Sequence, residues 1–329
     1  MHMHSSKIYH VYDSHTAGMP TRVMLEGVPT LKGKTMMEKK KYLQTNFDQI
    51  RTVLTQEPRS SQAIAALLVP PCDPGADFGV IFSDFRGYVD MCIHGTIGVV
   101  TTLIELGLVS GMKQIAFDTP AGSVRAKARV SGGRVKSVTV SNVPSIHLKD
   151  VDLDVPSVGR IRASLAFGGN VYAYVNAREL GIAVKPANLR TLLSVASKVL
   201  RELREVEVSH PSIPSMNEIL GVSLYEDEKS YARNIVVAEN DLFDRSPCGT
   251  GTCGRMAILN HESKLKPGEK FVNRSIIGSE FIGRITREIT IGGKKAVLPE
   301  VTGSAYLTGI AELVLSEGDA LANGFILSA

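Results

Sequence analysis

Two glycine-rich turns, each carrying a cysteine and each followed by an apolar helical pattern, most constrain how this chain folds. The first turn holds Cys92 within residues 90–98 (Asp-Met-Cys-Ile-His-Gly-Thr-Ile-Gly), and the second holds Cys248 within residues 244–252 (Asp-Arg-Ser-Pro-Cys-Gly-Thr-Gly-Thr). Strand patterns come before each turn and again after each helix. Because both halves follow this plan, the sequence indicates an α/β (α+β) fold of two pseudo-symmetric halves.

The spacing of apolar residues predicts the individual elements. Strands are predicted at residues 8–12, 21–25, 63–69, 78–83, 124–130, 135–140, 170–175, 231–237, 285–291 and 305–315. Helices are predicted at residues 35–54, 96–107, 186–203 and 254–259, and a polar turn is predicted at residues 13–18. We place the seam near Ser131-Gly132-Gly133. The first half then comprises residues 1–130 plus 304–329 and carries Cys92, and the second comprises residues 131–303 and carries Cys248.

Composition describes an ordinary folded protein of 329 residues, with 43% hydrophobic and 21% charged residues. A net charge of +4 is too small and too scattered for a nucleic-acid surface, but it suits anionic small molecules. No apolar run of about 18 residues is present, so no membrane span is expected. The first six residues lack an apolar leader, which predicts a cytoplasmic protein without structural disulfides. His2 and His4 there do not suggest a metal site.

The chemistry of the two turns follows from their position at helix N-termini. Unpaired N–H groups and the positive end of the helix dipole favour a thiolate at Cys92 and Cys248. The same amides form an anion site that suits a carboxylate. Two thiols facing each other across one such site can carry a proton from one face of a carbon to the other. This chemistry needs neither a metal nor an organic cofactor.

Two further side chains in the turns are predicted to contact a substrate. His94 stands two residues after Cys92, inside the turn. Asp244 precedes Cys248, and a carboxylate beside an anion site can meet a substrate ammonium. The alternative for Asp244 is a purely local role, in which it caps the turn through Ser246 and Pro247.

Other readings of the cysteines remain open at this stage. Each thiol alone is compatible with a small buried hydrophobe. Four possible zinc ligands exist, but they do not form the closely spaced pairs of structural zinc sites; they are Cys92, His94, Cys248 and Cys253. The turn at residues 248–252 lacks the Gly-Lys-Ser/Thr ending of a phosphate-binding loop. Cys72, after a proline pair, and Cys253, turned away from Cys248 on its helix, are interpreted as structural.

Nearly the whole chain resembles the proline racemase family, which includes 4-hydroxyproline 2-epimerases and trans-3-hydroxyproline dehydratases. The second cysteine turn is the most specific part of the resemblance. Further similar segments are residues 13–22, 57–59, 118–122, 168–170, 210–211, 277–279 and 303–306.

The resemblance implies a fold like that of diaminopimelate epimerase, in which each half wraps a strand-rich, barrel-like sheet around a central helix. It also implies a homodimer with the active site between the halves of each chain. Cys92 and Cys248 are then the two catalytic bases, and Asp244 and His94 meet the ring nitrogen of an imino acid. Phe243 is expected near the ring. The substrate carboxylate is expected on the backbone amides of Ile93, His94, Gly249 and Thr250.

The chain departs from the family pattern in two places. Ile93 replaces a glycine or small polar residue, which is expected to narrow the pocket or make it more apolar. The usual Glu-Pro-Arg-Gly-His is here Glu-Pro-Arg-Ser-Ser at residues 57–61, so the chain lacks the family's residues at a segment where the ring or its hydroxyl would be recognised. These residues do not distinguish proline from 4-hydroxyproline, although Ile93 favours an unhydroxylated ring or activity on both.

The resulting hypothesis is an isomerase, a cofactor-independent racemase or epimerase that inverts the α-carbon of proline or 4-hydroxyproline. Two alternatives stay open. A trans-3-hydroxyproline dehydratase is less expected because related dehydratases usually carry Thr or Ser where Cys248 stands. A non-catalytic imino-acid binding protein would use the same pocket without needing a reactive thiol.

Overall fold

The computed structural model describes residues 7–60, 63–111 and 113–327. His2, His4 and Ser61 therefore lie outside the described residues. The chain forms two compact units: the first comprises Met1–Val140 and Ser304–Ala329, and the second comprises Ser141–Gly303. None of the helices in the described part of the chain is long and apolar enough to cross a membrane.

Strands outnumber helices in both units. In chain order, the strands are β1 (Lys7–Thr16), β2 (Met19–Met24), β3 (Ile64–Val69), β4 (Phe78–Ser83), β5 (Tyr88–Val89), β6 (Ile115–Thr119), β7 (Gly122–Ser131), β8 (Arg134–Ser141), β9 (Ser145–Val155), β10 (Gly159–Phe167), β11 (Val171–Asn176), β12 (Ile219–Asp227), β13 (Ala232–Val237), β14 (Lys270–Ser275), β15 (Glu280–Ile291), β16 (Lys294–Gly303) and β17 (Ala305–Leu315). The helices are α1 (Met36–Asn46), α2 (Asp48–Thr55), α3 (Ile93–Glu105), α4 (Leu189–Leu203) and α5 (Gly249–His261). Short 3₁₀ turns cover Ala177–Leu180 and Pro186–Asn188.

The first unit is a curved sheet that surrounds helix α3. Its strands pair in the order β17, β1, β2, β3, β4, β6 and β7, with β2–β3 and β4–β6 parallel and the other pairs antiparallel. Every residue of α3 from Ile93 to Leu103 is buried. A helix that is buried on all sides needs apolar or small residues throughout, which the sequence Ile-His-Gly-Thr-Ile-Gly-Val-Val supplies. The helix packs on β1, β2, β3, β7 and β17.

The second unit is a closed barrel of eight strands around helix α5. Each strand from β9 to β16 pairs with the next, and β16 pairs back onto β9. Residues Gly249 to Asn260 of α5 are buried. Close packing explains the glycines: a Cβ on Gly254 would lie 2.1 Å from the hydroxyl of Tyr174. The predicted fold class, strand-rich halves that each enclose a central helix, is confirmed.

Several predicted elements differ in extent. The helix predicted at residues 35–54 is two helices, because the chain breaks at Phe47, where φ is −141° and ψ is 27°. The turn predicted at residues 13–18 is shorter in the structure and consists of Ala17 and Gly18, because the preceding residues pair with β2. Both central helices begin directly after their cysteines, earlier than the apolar pattern predicts, because the cysteine itself caps the helix.

The boundary between the units falls between Val140 and Ser141, after the seam expected from the sequence. Ser131 is instead the last residue of β7, and Gly132-Gly133 is the turn between β7 and β8. Strand β8 stays with the first unit through two contacts. The Val135 amide donates to the Glu105 carboxylate at the end of α3, and the Ser304 hydroxyl donates to the Lys136 carbonyl.

Candidate active site

Cys92 caps the N-terminus of helix α3 with its own sulfur. Its backbone is extended (φ −144°, ψ 106°), and its Sγ accepts a hydrogen bond from the Gly95 amide at 3.4 Å. The residue is 6% exposed. A sulfur atom in this position replaces the oxygen of a conventional serine or threonine cap, so the thiol lies among the first N–H groups of the helix.

His94 places its imidazole against this thiol. Its Nδ1 lies 3.4 Å and its Nε2 3.7 Å from the Cys92 Sγ. The residue is buried, and its backbone carbonyl accepts a hydrogen bond from the Thr16 hydroxyl at 2.9 Å. Thr16 belongs to the β1–β2 hairpin, so this hairpin anchors the first turn of α3. The imidazole and the thiol therefore lie together at the start of α3.

Cys248 caps helix α5 in the same way. Its Sγ accepts a hydrogen bond from the Gly251 amide at 3.3 Å, and it is 4% exposed. Its own amide donates to the Ser246 hydroxyl at 3.1 Å. Behind the turn, the side-chain amides of Asn234 and Asn273 both donate to the Pro247 carbonyl. These contacts hold the second cysteine turn against strands β13 and β14.

The two caps differ in backbone conformation. Cys248 has φ 57° and ψ 106°, in the positive-φ region that L-residues rarely adopt. Cys92 has no such strain. Strained residues of this kind concentrate at functional sites, where the surrounding structure holds them in place. The sequence gives no indication of this difference, since both cysteines occupy similar turns.

Burial acts strongly on the Cys248 thiol. It raises the pKa of Cys248 to about 12, and the nearby Asp244 carboxylate adds to the rise. Hydrogen bonds from the Gly251 amide, Thr250 and Tyr172 act in the opposite direction and lower the pKa. The N-terminus of α5 thus favours the thiolate as predicted, but desolvation outweighs it. In the free protein Cys248 therefore carries its proton at neutral pH.

Asp244 is half-buried and adopts the local role considered as its alternative. Its Oδ1 accepts a hydrogen bond from the Ser246 amide at 2.7 Å. Because Ser246 in turn accepts from the Cys248 amide, Asp244 supports the strained turn as well as acting on the thiol. Next to it, the Arg245 guanidinium lies 3.9 Å from the centre of the Phe243 ring.

The four amides expected to hold a carboxylate lie at the first two positions of the central helices. Ile93 and His94 begin α3, and Gly249 and Thr250 begin α5. N–H groups at these positions lack an acceptor within the helix itself. Ile93, the residue expected to narrow the pocket, is 1% exposed.

Two tyrosines on β11 were missed by sequence reasoning. The Tyr172 hydroxyl lies 3.0 Å from the Thr250 hydroxyl, and the Tyr174 hydroxyl donates to the Gly251 carbonyl at 2.8 Å. Both side chains lie on the face of β11 that meets the start of α5. The only signal in the sequence is that both follow the segment at residues 168–170.

Neither Cys72 nor Cys253 caps a helix. Cys72 is in a loop where its amide donates to the Asp118 carboxylate at 2.8 Å. Cys253 is fully buried on α5, where burial raises its pKa. All four cysteines are free thiols. Within the described residues, no group of three or more His, Cys, Asp or Glu side chains is arranged to hold a metal ion.

The segment at residues 57–59 has a structural role within the first unit. The Arg59 guanidinium pairs with the Asp319 carboxylate at 2.6 Å. The Glu57 carbonyl accepts from the Phe325 amide at 3.0 Å, and the Arg59 carbonyl accepts from Arg22 at 3.1 Å. These contacts tie the segment to the C-terminal residues and to the β1–β2 hairpin.

Comparison with known proteins agrees with this architecture over nearly the full length. The sequence model of the family described as "Proline racemase" matches residues 11–326. A proline racemase of Clostridioides difficile is 40% identical over 335 residues, covering 99% of this chain and all of that protein. A 4-hydroxyproline 2-epimerase of Streptosporangium roseum is 37% identical, and a trans-3-hydroxy-L-proline dehydratase of Bacillus cereus is 38% identical. Each of these two covers 99% of this chain and 100% of the relative.

A solved structure shows the same similarity in three dimensions. The crystal structure of a hydroxyproline epimerase from Agrobacterium vitis, with bound trans-4-hydroxy-L-proline, superposes with a TM-score of 0.92 at 32% identity. The match covers 97% of this chain and 96% of that one. On sequence and fold together, the chain belongs to the proline racemase family.

Proposed function

We propose that this protein inverts the α-carbon of proline, 4-hydroxyproline or both without a cofactor, with Cys92 and Cys248 as the paired acid and base. One observation carries the proposal. In each unit, a cysteine sulfur caps the buried central helix beside the N–H groups that suit a carboxylate. The relatives named as racemases and epimerases support the reaction class.

The proposed reaction transfers one proton on and one proton off the same carbon. One cysteine, as a thiolate, takes the α-proton of the imino acid and becomes a thiol. The other cysteine, as a thiol, gives its proton to the opposite face and becomes a thiolate. In the reverse reaction the two cysteines exchange roles, which restores the protonation state that each had at the start. Cys248, which keeps its proton at neutral pH when no substrate is bound, suits the donor role.

The principal barrier is the low acidity of the α-proton. Removing it places negative charge on the carboxylate, which becomes dianionic. The amides of Ile93, His94, Gly249 and Thr250 are proposed to receive that charge, aided by the dipoles of α3 and α5. Loss of a single oxyanion donor typically costs about 10²–10³ in rate, so several donors together supply a large part of the acceleration.

The ring nitrogen of the substrate is proposed to meet Asp244 and His94. A protonated imino nitrogen beside Asp244 compensates the carboxylate charge. Because that charge is one of the causes that raise the pKa of Cys248, substrate binding is expected to lower it. The substrate thereby helps to prepare the thiol that acts on it.

The reaction needs both thiols reduced. We therefore propose that the enzyme acts in a reducing compartment, the cytoplasm, and as the homodimer that the family resemblance implies. Light scattering coupled to gel filtration tests the oligomeric state. A homodimer should have twice the chain mass of 35.5 kDa.

Chiral chromatography of the reaction products tests the function directly. Reduced, cofactor-free protein is incubated separately with L-proline, trans-4-hydroxy-L-proline and trans-3-hydroxy-L-proline. Formation of D-proline or cis-4-hydroxy-D-proline supports the proposal and identifies the substrate. Loss of water from trans-3-hydroxy-L-proline, without inversion of the other two, would establish the dehydratase instead. Binding of any of these without conversion would favour the non-catalytic binding protein.

Cysteine variants test the assignment of the two bases. Cys92→Ser and Cys248→Ser are each expected to lower the rate of inversion by at least about 10³-fold, because a serine hydroxyl is a far weaker base at neutral pH. Cys72→Ser is the matched control, since that thiol lies in a loop away from both caps, and it should retain normal turnover. Normal inversion by either single active-site variant would refute the two-base mechanism.

A further inference from the structure

The hydroxyl groups of Tyr172 and Thr250, which we call the hydroxyl chain, lie between strand β11 of the second unit's barrel and the Cys248 sulfur. The Tyr172 hydroxyl, on β11, lies 3.0 Å from the Thr250 hydroxyl. The Thr250 hydroxyl lies 3.8 Å from the Cys248 Sγ. All three residues are buried, being 5%, 3% and 4% exposed respectively. Buried hydroxyl groups are costly unless each has a hydrogen-bond partner, and here the two hydroxyls lie within reach of each other and of the sulfur.

The direction of the hydrogen bonds follows from what the sulfur needs. A thiolate accepts hydrogen bonds and cannot donate one. The hydroxyls of Thr250 and Tyr172 both hydrogen bond to this sulfur and lower the pKa of Cys248. Both hydroxyls therefore act as donors when the sulfur is charged.

We propose that Tyr172 and Thr250 are positioning residues whose two hydroxyls together stabilise the thiolate of Cys248. The inference deepens the proposed function and rests on it for its catalytic meaning. Cys92 has a different neighbour, the imidazole of His94 at 3.4 Å. The two bases are therefore tuned by different chemistry, a hydroxyl chain for one and an imidazole for the other.

The other groups around Cys248 make this support necessary. The Asp244 carboxylate and desolvation both oppose the thiolate, and the thiol of Cys253 and the hydroxyl of Tyr174 are further titratable groups close by. The Gly251 amide and the hydroxyls of Thr250 and Tyr172 act in the opposite direction, favour the charged sulfur and lower the pKa of Cys248. Loss of either hydroxyl is therefore expected to raise the pKa of Cys248.

Tyr174 provides a matched control two residues along the same strand. It is also a buried tyrosine, 2% exposed, and its hydroxyl also contacts the first turn of α5. Its partner is the Gly251 carbonyl, however, and not the hydroxyl that faces the sulfur. Tyr172→Phe and Tyr174→Phe thus each remove one buried phenolic oxygen from the same face of β11, and only Tyr172→Phe removes a hydroxyl that belongs to the hydroxyl chain.

Alkylation of the thiols measures the proposal without requiring turnover. Free enzyme is labelled with iodoacetamide at about pH 8, where the rate follows the thiolate fraction. Cys92 serves as the reference within each molecule, so that the quantity compared is the ratio of labelling rates at Cys248 and Cys92. Tandem mass spectrometry assigns the label, because a single tryptic peptide, Ser246 to Arg255, contains both Cys248 and Cys253.

We expect the ratio to fall about three- to tenfold in Tyr172→Phe and Thr250→Val, corresponding to a rise of about half to one pKa unit at Cys248. Thr250→Ser, which keeps the hydroxyl, and Tyr174→Phe should stay within about twofold of the wild type. An unchanged ratio in both Tyr172→Phe and Thr250→Val would overturn the proposal, as would an equal fall in Tyr174→Phe.

The pH profile of inversion provides the second measurement. In Tyr172→Phe, the limb of the kcat/KM profile that reports thiolate formation should move to higher pH, whereas Tyr174→Phe should keep the wild-type profile. If the proposal for the hydroxyl chain is wrong, the wild type still inverts its substrate. Failure of the proposed function appears as no conversion by the wild type, while the labelling ratio still reports on the hydroxyl chain.

Discussion

The Nδ1 of His94 lies 3.4 Å from the Sγ of Cys92, within the first turn of the helix that Cys92 caps. The closeness results from local geometry: the cap residue and the second helical residue lie on the same end of the helix, and the carbonyl of His94 is fixed by Thr16. An imidazole in this position can hydrogen bond the sulfur or a substrate nitrogen.

Replacing this imidazole is expected to reduce turnover more than stability. His94→Asn keeps a polar group but cannot place a ring nitrogen against the Cys92 sulfur. We expect kcat/KM for inversion to fall by about 10²-fold, a common cost of removing a positioned acid–base group. The melting temperature, measured in parallel, should change little. Turnover equal to that of the wild type would show that the contact has no catalytic role.

Asp244→Asn is expected to have opposite effects on thiol reactivity and on turnover. Removing a neighbouring negative charge lowers the pKa of Cys248, so its alkylation relative to Cys92 should become faster at about pH 8. Inversion should nevertheless slow, because the ring ammonium loses its counter-charge. Asparagine still accepts the hydrogen bond from the Ser246 amide, so the turn is kept. Slower labelling of Cys248 in this variant would contradict the electrostatic role assigned to Asp244.

The strained backbone of Cys248 predicts an unusual preference for glycine over alanine. The free energy of unfolding of Cys248→Gly should exceed that of Cys248→Ala, because φ 57° costs glycine nothing. At Cys92, where φ is −144°, the same pair of variants lacks this term and serves as the control. Both sites are helix caps, so the difference between the two glycine–alanine comparisons isolates the strain. We expect this difference in the free energy of unfolding, measured with a denaturant, to be about 1 kcal/mol.

His210 predicts an acid sensitivity of folding in the second unit. Its ring is buried against Phe167, with ring centres 4.6 Å apart, and its Nδ1 accepts hydrogen bonds from the amides of Ser212 and Ile213. Burial lowers the pKa of His210 below its ordinary value of 6.5. The unfolded chain therefore binds a proton more readily than the folded one, and the free energy of unfolding falls as pH drops through 6.5.

His210→Asn tests this assignment, because its amide oxygen can replace Nδ1 as an acceptor but does not titrate. Denaturant unfolding at about pH 7.5 and 5.5 should show a smaller loss of stability for the variant than for the wild type, by up to about 1 kcal/mol. An identical loss in both proteins would place the acid sensitivity elsewhere.

The sequence by itself determined the features that depend on short stretches of chain. In each turn a glycine stands three residues after the cysteine and donates its amide to the sulfur, so the cap is specified locally. Cys92 and Cys248 were therefore identified correctly as the residues that open the central helices. The alternation of strands around each helix likewise predicted the fold class, and the combined motifs predicted the family. Hydrogen bonds between residues two or three apart require no knowledge of the rest of the fold.

Only the tertiary structure decided how the two cysteines differ. The hydroxyls of Thr250 and Tyr172 meet although the residues are 78 positions apart, because β11 and α5 pack together inside one barrel. Burial within that barrel raises the pKa of Cys248 against the effect of its helix, and contacts with Asn234 and Asn273 hold its turn in a strained conformation. Desolvation and strain depend on what surrounds a residue on every side, and this is set by packing between distant segments of the chain.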